Sequence, residues 1–188
     1  TAIGTADKDS QLAMFQSIIF NNHMQLKHYE EAYYSLMNNV ESSRRKDCLR
    51  QLVIALFQEK RFDILINFNY NTLEEDLEDI VQTRARSMQI EDNEHYNFLY
   101  SYHVRNANMT RAAIVMYEKS LRLLYEGSSI ESLQQRHNSL LACYNSLSMV
   151  NADYQWLCKP IIEDKKVDED MDEEMADVDE TVKVEVIT

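Results

Sequence analysis

The chain has 188 residues and a net charge of −13, and it contains one Pro and two Gly. So few turn-forming residues exclude a β-sandwich or a β-barrel, because both need many tight turns. Hydrophobic residues make up 45% of the chain and supply a buried core, so the composition predicts an all-α fold. Residue 1 is Thr, and we expect the chain to be a piece of a longer protein.

The negative charge is concentrated at the C-terminal end. Residues 1–159 carry 20 acidic and 16 basic residues, whereas residues 160–188 carry 12 acidic and three basic ones. We therefore predict a helical solenoid body over 1–159 and an acidic disordered tail over 160–188, since the tail cannot bury enough apolar surface to fold. Neither part has a basic stripe, so nucleic-acid binding is not expected. No apolar run reaches the roughly 20 residues of a membrane span.

Hydrophobic periodicity predicts five helical segments in the first half of the chain. They cover residues 10–26, 29–39, 45–58, 62–68 and 73–88. Ser10 is the expected cap of the first helix, whose buried face is predicted to contain Met14, Ile18, Ile19 and Met24. Thr72 and Glu75 have the spacing of a capping box, which predicts the start of the fifth helix.

The second half begins with two helices over 96–124, separated by a polar turn at 105–109. Gly127 lies where a left-handed residue would end the second of them. Ser128 and Glu131 form another predicted capping box, which starts a helix over 130–149. The buried stripe predicted for that helix consists of Leu133, His137, Leu140, Leu141, Tyr144 and Leu147. Pro160 is expected to end the regular pattern.

Two stretches of the sequence resemble each other at an offset of 80 residues. Ile19, Phe20, His23, Ala32 and Leu36 correspond to Leu99, Tyr100, His103, Ala112 and Met116. The small alanine just after each turn allows two antiparallel helices to approach closely. A repeat of this kind predicts stacked helical hairpins of tetratricopeptide type, that is, an α-solenoid.

The sequence offers no set of residues typical of an enzyme. It lacks HExxH, paired CxxC and glycine-rich phosphate loops, so we expect no catalytic residues, no metal, no cofactor and no small-molecule substrate. His23 and His103 are interpreted as helix-packing residues, and the acidic run 74–79 as a solvated helix start. The spacing of Asp168, Asp170 and Asp172 copies a calcium loop but lacks its glycine and its final glutamate.

Two aromatic residues near the end of the body are candidate partner anchors. Tyr154 and Trp156 are of types that are enriched at protein interfaces. The alternative interpretation is that they cover the last hairpin. Residues 181–187 alternate valine with polar residues, but we do not expect a strand there, because the sequence shows no partner strand.

Several strings of the sequence, in this order, resemble the C-terminal helical region of the 160-kDa nucleoporin family. The strings are residues 28–33, 44–53, 96–100 with 112–117, 140–147 and 153–156, and the resemblance covers about residues 10–158. It implies a structural, non-catalytic constituent of the nuclear pore complex at the nuclear envelope. Its implied partners are other helical scaffold nucleoporins of the Y-shaped outer-ring complex, and its implied role is to support mRNA and protein transport.

Two rival functions follow from the fold class alone. A tetratricopeptide-type adaptor would hold a peptide carboxylate with basic residues on its concave face. The bases near the central hairpins are scattered, namely Arg105, Arg111, Arg122 and Arg136. A helical enzyme is the other rival, and the missing catalytic residues count against it.

Overall fold

The computed structural model describes residues 2–90, 93–160 and 184–187, and almost all of them are helical. The helices are α1 (Ala2–Gln25), α2 (Tyr29–Met37), α3 (Ser42–Gln58), α4 (Phe62–Asn67), α5 (Glu74–Ser87), α6 (Glu94–Arg105), α7 (Met109–Glu126) and α8 (Ile130–Ser148). Two 3₁₀ turns (Asn71–Leu73 and Ala152–Tyr154) and two strands, β1 (Leu157–Pro160) and β2 (Val184–Ile187), complete the described elements. The predicted all-α class is confirmed.

The helices stack in chain order. α1 packs on α2, α5 on α6, α6 on α7 and α7 on α8, while α3 contacts α1, α2 and α5. Connections of three residues join α1 to α2, α3 to α4 and α6 to α7. Such short connections turn the chain back on itself, so these helices form antiparallel hairpins. The fold is an α-solenoid, in which each hairpin shares its core with its neighbours.

The three short connections use the same turn. Lys27, Lys60 and Ala107 have left-handed φ angles of 59°, 55° and 56°. After each of them, the next residue donates its backbone N–H to the carbonyl oxygen five positions earlier, at 2.8–2.9 Å. This is the Schellman motif, which usually has glycine at the left-handed position. The chain forms it with Lys and Ala, so a protein with two glycines still makes tight hairpins.

The 80-residue repeat extends to these turns. Lys27 and Ala107 are 80 residues apart, and Ala32 and Ala112, also 80 apart, are fully buried at the contact of each hairpin. The matched pairs are not all equally buried, and the largest difference is that Leu99 is 2% exposed whereas Ile19 is 42% exposed. The reason is position in the stack: α6 lies between α5 and α7, whereas α1 begins the described chain.

A large apolar core runs from α1 to α7, and aromatic side chains join its layers. Tyr33 stacks on Phe68 with ring centroids 4.2 Å apart, and Phe57 stacks on His95 at 4.0 Å. The periodicity that predicts the third helix places Cys48, Leu49, Leu52, Val53, Leu56 and Phe57 on one stripe. All of them are buried in α3 except Phe57, which is partly buried. A smaller cluster, formed by Ala113, Met116, Cys143 and Leu157, continues the core toward α8 and β1.

A polar network links α5, α6 and α7. The carboxylate of Glu118 accepts hydrogen bonds from Arg86 at 2.8 and 2.9 Å, from Gln82 at 3.2 Å and from Tyr96 at 3.0 Å. Arg122 adds donations to the backbone carbonyls of α5 and its C-cap, at 2.6 and 3.0 Å. Because Glu118 is saturated with donors, its pKa is lowered despite its burial.

Several predicted helix ends are wrong. α1 continues on both sides of residue 10 and so does not begin after Ser10, and α3 begins at Ser42 rather than at residue 45. Thr72 lies in a 3₁₀ turn, and α5 begins after Leu73 without a side-chain cap. The second capping box exists one residue later than predicted, between Ser129 and Ser132.

Gly127 does not have the predicted left-handed conformation, because its φ is −83°. Glycine is needed here because there is no room for a side chain. An added Cβ would lie 2.6 Å from the Leu123 carbonyl oxygen and 2.7 Å from Ser132. The residue therefore allows the start of α8 to lie close against the end of α7.

A strand forms within residues 181–187, where the sequence led us to expect none. Val184–Ile187 pairs antiparallel with Leu157–Pro160. The partner strand that the sequence did not reveal is therefore β1, which follows the 3₁₀ turn Ala152–Tyr154. Leu157 is 6% exposed, and it anchors β1 in the smaller core cluster. The predicted disordered tail, 160–188, otherwise lies outside the described residues, and the boundary at 159 stays a prediction.

Candidate protein–protein interface

The described residues contain no group of three or more His, Cys, Asp or Glu side chains able to hold a metal ion. The Asp168–Asp170–Asp172 spacing lies outside them. Nor does any helix in the described part of the chain have the length and apolarity to cross a membrane. The surfaces that remain to be explained are apolar, and they lie on α1, on α8 and after α8.

Helix α8 presents its apolar stripe outward, contrary to prediction. Leu133, Leu140, Leu141 and Tyr144, here called the α8 outer face, are between 39% and 70% exposed. The buried face instead consists of small residues, namely Ser132, Ser139, Cys143 and Ser146. Of the predicted stripe, Leu147 packs partly against the smaller core cluster.

The serine face explains this orientation. Ser139 and Ser146 donate their hydroxyls to the carbonyl oxygens four residues earlier, at 2.8 and 2.9 Å. Their polar groups are therefore satisfied within the helix, and small side chains let α8 approach α7 closely. Hydrophobicity alone pointed to the opposite face. The signal that sequence reasoning missed is the spacing of Ser132, Ser139 and Ser146 by seven residues.

Helix α1 is apolar on two sides. Ala13 and Phe20 are fully buried against the next helices, and Met24 packs against the core. The predicted buried residues Met14, Ile18 and Ile19 are instead 42–54% exposed. Together with Leu12 and Phe15 they form a second apolar surface, here called the α1 outer face. A helix with apolar residues on two sides is typical of one that packs against neighbours on both of them.

The two predicted anchors come together after α8. Tyr154 and Trp156 line one groove with Ile114, Val150 and Leu157, and its volume is about 410 Å³. Tyr154 is 63% exposed and Trp156 is 45% exposed. Both residues keep a large exposed surface, which is available for contact. Their role as partner anchors stays a prediction.

The predicted packing histidine His103 is 4% exposed, and burial lowers its pKa to about 4. Its neighbour Glu78 lies 3.8 Å away, but that carboxylate accepts a hydrogen bond from Arg111 at 2.5 Å. The equivalent His23 is only partly buried. His95, which the prediction left without a role, has its pKa lowered to about 4 by burial under Phe57.

The acidic run 74–79 forms ion pairs with neighbouring helices in addition to facing solvent. Lys46 on α3 lies 2.9 Å from Asp76 and 3.5 Å from Asp79, so the start of α5 is tied to α3. Glu78 ties it to Arg111 on α7. These ion pairs are partly exposed and contribute little stability individually. Arg105 donates to Asn67 on α4, and Arg122 donates to the Ala85 carbonyl oxygen on α5, which leaves no cluster of free arginines on the central hairpins in the described chain.

The fold and its exposed faces define a class: an α-solenoid of tetratricopeptide-type hairpins with apolar surfaces at both ends of the described stack. Comparison with known proteins gives the family. A family model described as NUP160/120 middle TPR matches residues 1–149. The chain belongs to the NUP160/120 family.

The relatives are long proteins. The chain is 51% identical over 168 residues to the Nuclear pore complex protein Nup160 homolog of Drosophila melanogaster, covering 88% of this chain and 12% of that protein. It is 33% identical over 149 residues to Nuclear pore complex protein Nup160 of Homo sapiens, covering 79% and 10%. Nucleoporin nup120 of Schizosaccharomyces pombe is 24% identical over 151 residues, covering 77% and 13%. The chain thus spans about an eighth of the Drosophila relative's length.

Proposed function

We propose that this segment is a structural part of the nuclear pore scaffold, located at the nuclear envelope. It would join other helical nucleoporins in the Y-shaped outer-ring complex and so support transport of mRNA and protein. The observation that carries this proposal is the pair of outer faces on α1 and α8, which leave apolar surface uncovered at both ends of the stack. Such faces are typical of a helical stack that continues or docks.

The proposal contains no catalytic step. Nor does it include a small-molecule substrate or direct contact with nucleic acid. It rests on family membership and on a fold whose polar groups serve to join helices, as Glu118 does between α5, α6 and α7. The expected location in the C-terminal helical region stays a prediction, because the matching family model is described as a middle region.

Within this role, we assign the groove of Tyr154 and Trp156 to partner contact. A half-exposed Trp beside a Tyr offers a large rigid apolar surface with polar atoms at its edge, the composition of many interface hot spots. Ile114, 46% exposed on α7, extends that surface into the body.

The test is co-elution on a sizing column of the full chain with the helical nucleoporins of the Y complex. We expect a stable complex, weakened about tenfold or more by Tyr154→Ala or Trp156→Ala. Tyr34→Ala is the matched control, since Tyr34 on α2 is 64% exposed and lies outside the groove. Separate elution of a folded chain from every such nucleoporin would contradict the scaffold proposal. Equal weakening by all three variants would contradict only the assignment of the groove.

A further inference from the structure

A cavity of about 480 Å³ with a mixed polar and apolar lining lies between α6 and α8, and α7 forms its floor. Both flanking helices pack on α7, and the cavity between them is open to solvent. Its lining includes Glu94, Asn97, Lys119, Gln135 and Asn138. This lining contrasts with the apolar groove of Tyr154 and Trp156, and it indicates a different kind of ligand.

Lys119 is the unusual group in this cavity. It is 8% exposed, and its Nζ donates one hydrogen bond, to Asn97 Oδ1 at 2.8 Å. An ammonium group carries three N–H donors, and buried donors are almost always satisfied. Within the described chain no other acceptor bonds to this ammonium, so two donors remain for whatever enters the cavity. Burial also lowers the pKa of Lys119, which is the cost of leaving the ammonium without a counter-ion in contact.

The α8 wall adds further donors. Gln135 and Asn138 line the cavity with side-chain amides that make no hydrogen bond to another described residue. Amide N–H groups on one wall and an ammonium on the floor can together surround a carboxylate, which accepts through two oxygens. We propose that this cavity binds a carboxylate presented by a partner protein, either an acidic side chain or a peptide C-terminus.

Two features oppose an acidic ligand and set its limits. Glu94 stands beside the cavity, and its Oε2 accepts from Asn97 Nδ2 at 3.0 Å, so its charge lies close to the ligand position. The whole chain also has a net charge of −13. At physiological ionic strength, charges farther than about 8 Å away are screened, so Glu94 is the opposing charge that matters, whereas Lys119 would touch the ligand. Recognition therefore involves a single carboxylate at short range rather than a long acidic stretch.

The test uses the full chain and three labelled peptides, with affinity measured by fluorescence anisotropy in 150 mM salt. The peptides are acetyl-(Gly-Glu)₃-amide, acetyl-(Gly-Gln)₃-amide and acetyl-(Gly-Gln)₃ with a free C-terminus. We expect the neutral peptide not to bind. Binding of the first peptide identifies an acidic side chain as the ligand, and binding of the third identifies a C-terminal carboxylate.

Substitutions at the cavity test whether the peptide binds there. Lys119→Met keeps the aliphatic stem and should weaken binding at least tenfold, whereas Lys60→Met, at an exposed position, should not. Glu94→Gln should strengthen binding by removing the repulsion. Asn138→Asp, on the exposed wall, should abolish binding even if Lys119→Met perturbs the fold.

The proposal is overturned if no carboxylate peptide binds, if the neutral peptide binds equally well, or if Asn138→Asp and a folded Lys119→Met both leave the affinity unchanged. None of these results bears on the scaffold role, which co-elution tests separately.

Discussion

The left-handed turn residues show how single positions set the hairpin geometry. Lys27, Lys60 and Ala107 hold a conformation that costs a residue with a Cβ about 1 kcal/mol or more. The cost is tolerated because each turn satisfies two carbonyl groups at the end of a helix. The left-handed turn repeats at an offset of 80 residues, although the two turn residues, Lys27 and Ala107, are of different types.

Ala107→Gly should stabilise the chain by roughly 0.5–1 kcal/mol, since glycine adopts this φ without a clash and loses only part of the gain to backbone entropy. Urea unfolding followed by circular dichroism measures the change. The same substitution inside α7, Ala112→Gly, should instead destabilise by about 1 kcal/mol or more, because Ala112 is helical and fully buried. A loss of stability in Ala107→Gly would mean that the turn does not have this conformation.

The buried histidines make stability depend on pH. His95 and His103 have folded-state pKa values of about 4, below the ordinary 6.5. The unfolded chain therefore binds more protons between these values, and stability is lost as pH falls from about 6.5 toward 4. From pH 7.5 to pH 5.0, each histidine should lower the free energy of unfolding by roughly 2 kcal/mol.

Urea titrations of wild type and His95→Gln at these two pH values test this expectation. The variant should lose about half of the pH-dependent change that the two histidines cause. The raised pKa of Glu78 acts in the opposite direction, but it is common to both proteins. His137→Gln, at an exposed position on α8, serves as the control. The interpretation fails if His95→Gln and His137→Gln change the pH dependence equally.

At the scale of the element, the positions of most helices were predictable, but the buried faces of α1 and α8 were not. The stripe of α3 was recognised because a helix in the middle of the stack buries its one apolar face. α1 and α8 have apolar residues that face outward, so periodicity predicted a helix but gave the wrong buried face. β2 was missed because strand pairing joins residues 157–160 to 184–187, and local sequence does not contain that contact.

The candidate sites were predictable to different degrees. Tyr154 and Trp156 were chosen by residue type, and their groove with Ile114 depends on a contact between α7 and the segment after α8. Lys119 could not be singled out from the sequence, because a lysine in a helix is ordinarily exposed. Only the packing of α6 against α7 buries it.

The serine face of α8 predicts a sharp size limit at its contact with α7. Ser146 is 2% exposed, and its hydroxyl bonds to its own helix. Ser146→Ala should change the free energy of unfolding by less than about 0.5 kcal/mol, because no partner on α7 is lost. Ser146→Leu should destabilise by about 1–3 kcal/mol through overpacking. Urea unfolding distinguishes the two, and a stabilising Ser146→Leu would show that α8 packs through another face.

At the scale of the whole molecule, the outer faces of α1 and α8 are separate apolar surfaces on the first and last helices of the described stack. Surfaces of this kind promote association when nothing covers them. The isolated chain therefore should not behave as a strict monomer at high concentration.

A dilution series by light scattering tests this expectation. The apparent mass should rise with concentration, and Phe15→Glu or Tyr144→Glu should reduce the rise. Tyr125→Glu is the matched control, since Tyr125 is 65% exposed and belongs to neither outer face. A constant monomer mass over the whole series would argue against exposed outer faces.

The serine-lined contact between α7 and α8 also has a mechanical consequence. In a stack where each helix touches mainly its neighbours, a pulling force along the stack passes through the contacts in series. Between α5 and α7 the Glu118 network bridges three helices in parallel, so load there is shared. The α7–α8 contact has small side chains whose hydroxyls bond within their own helix, as Ser139 and Ser146 do. These small side chains let α8 lie close along α7, and the two helices share the most extensive helix–helix contact in the described chain. Under tension, α7 and α8 should therefore stay together as one unit, and the sparser contacts of α3 with α2 and α5 should separate first.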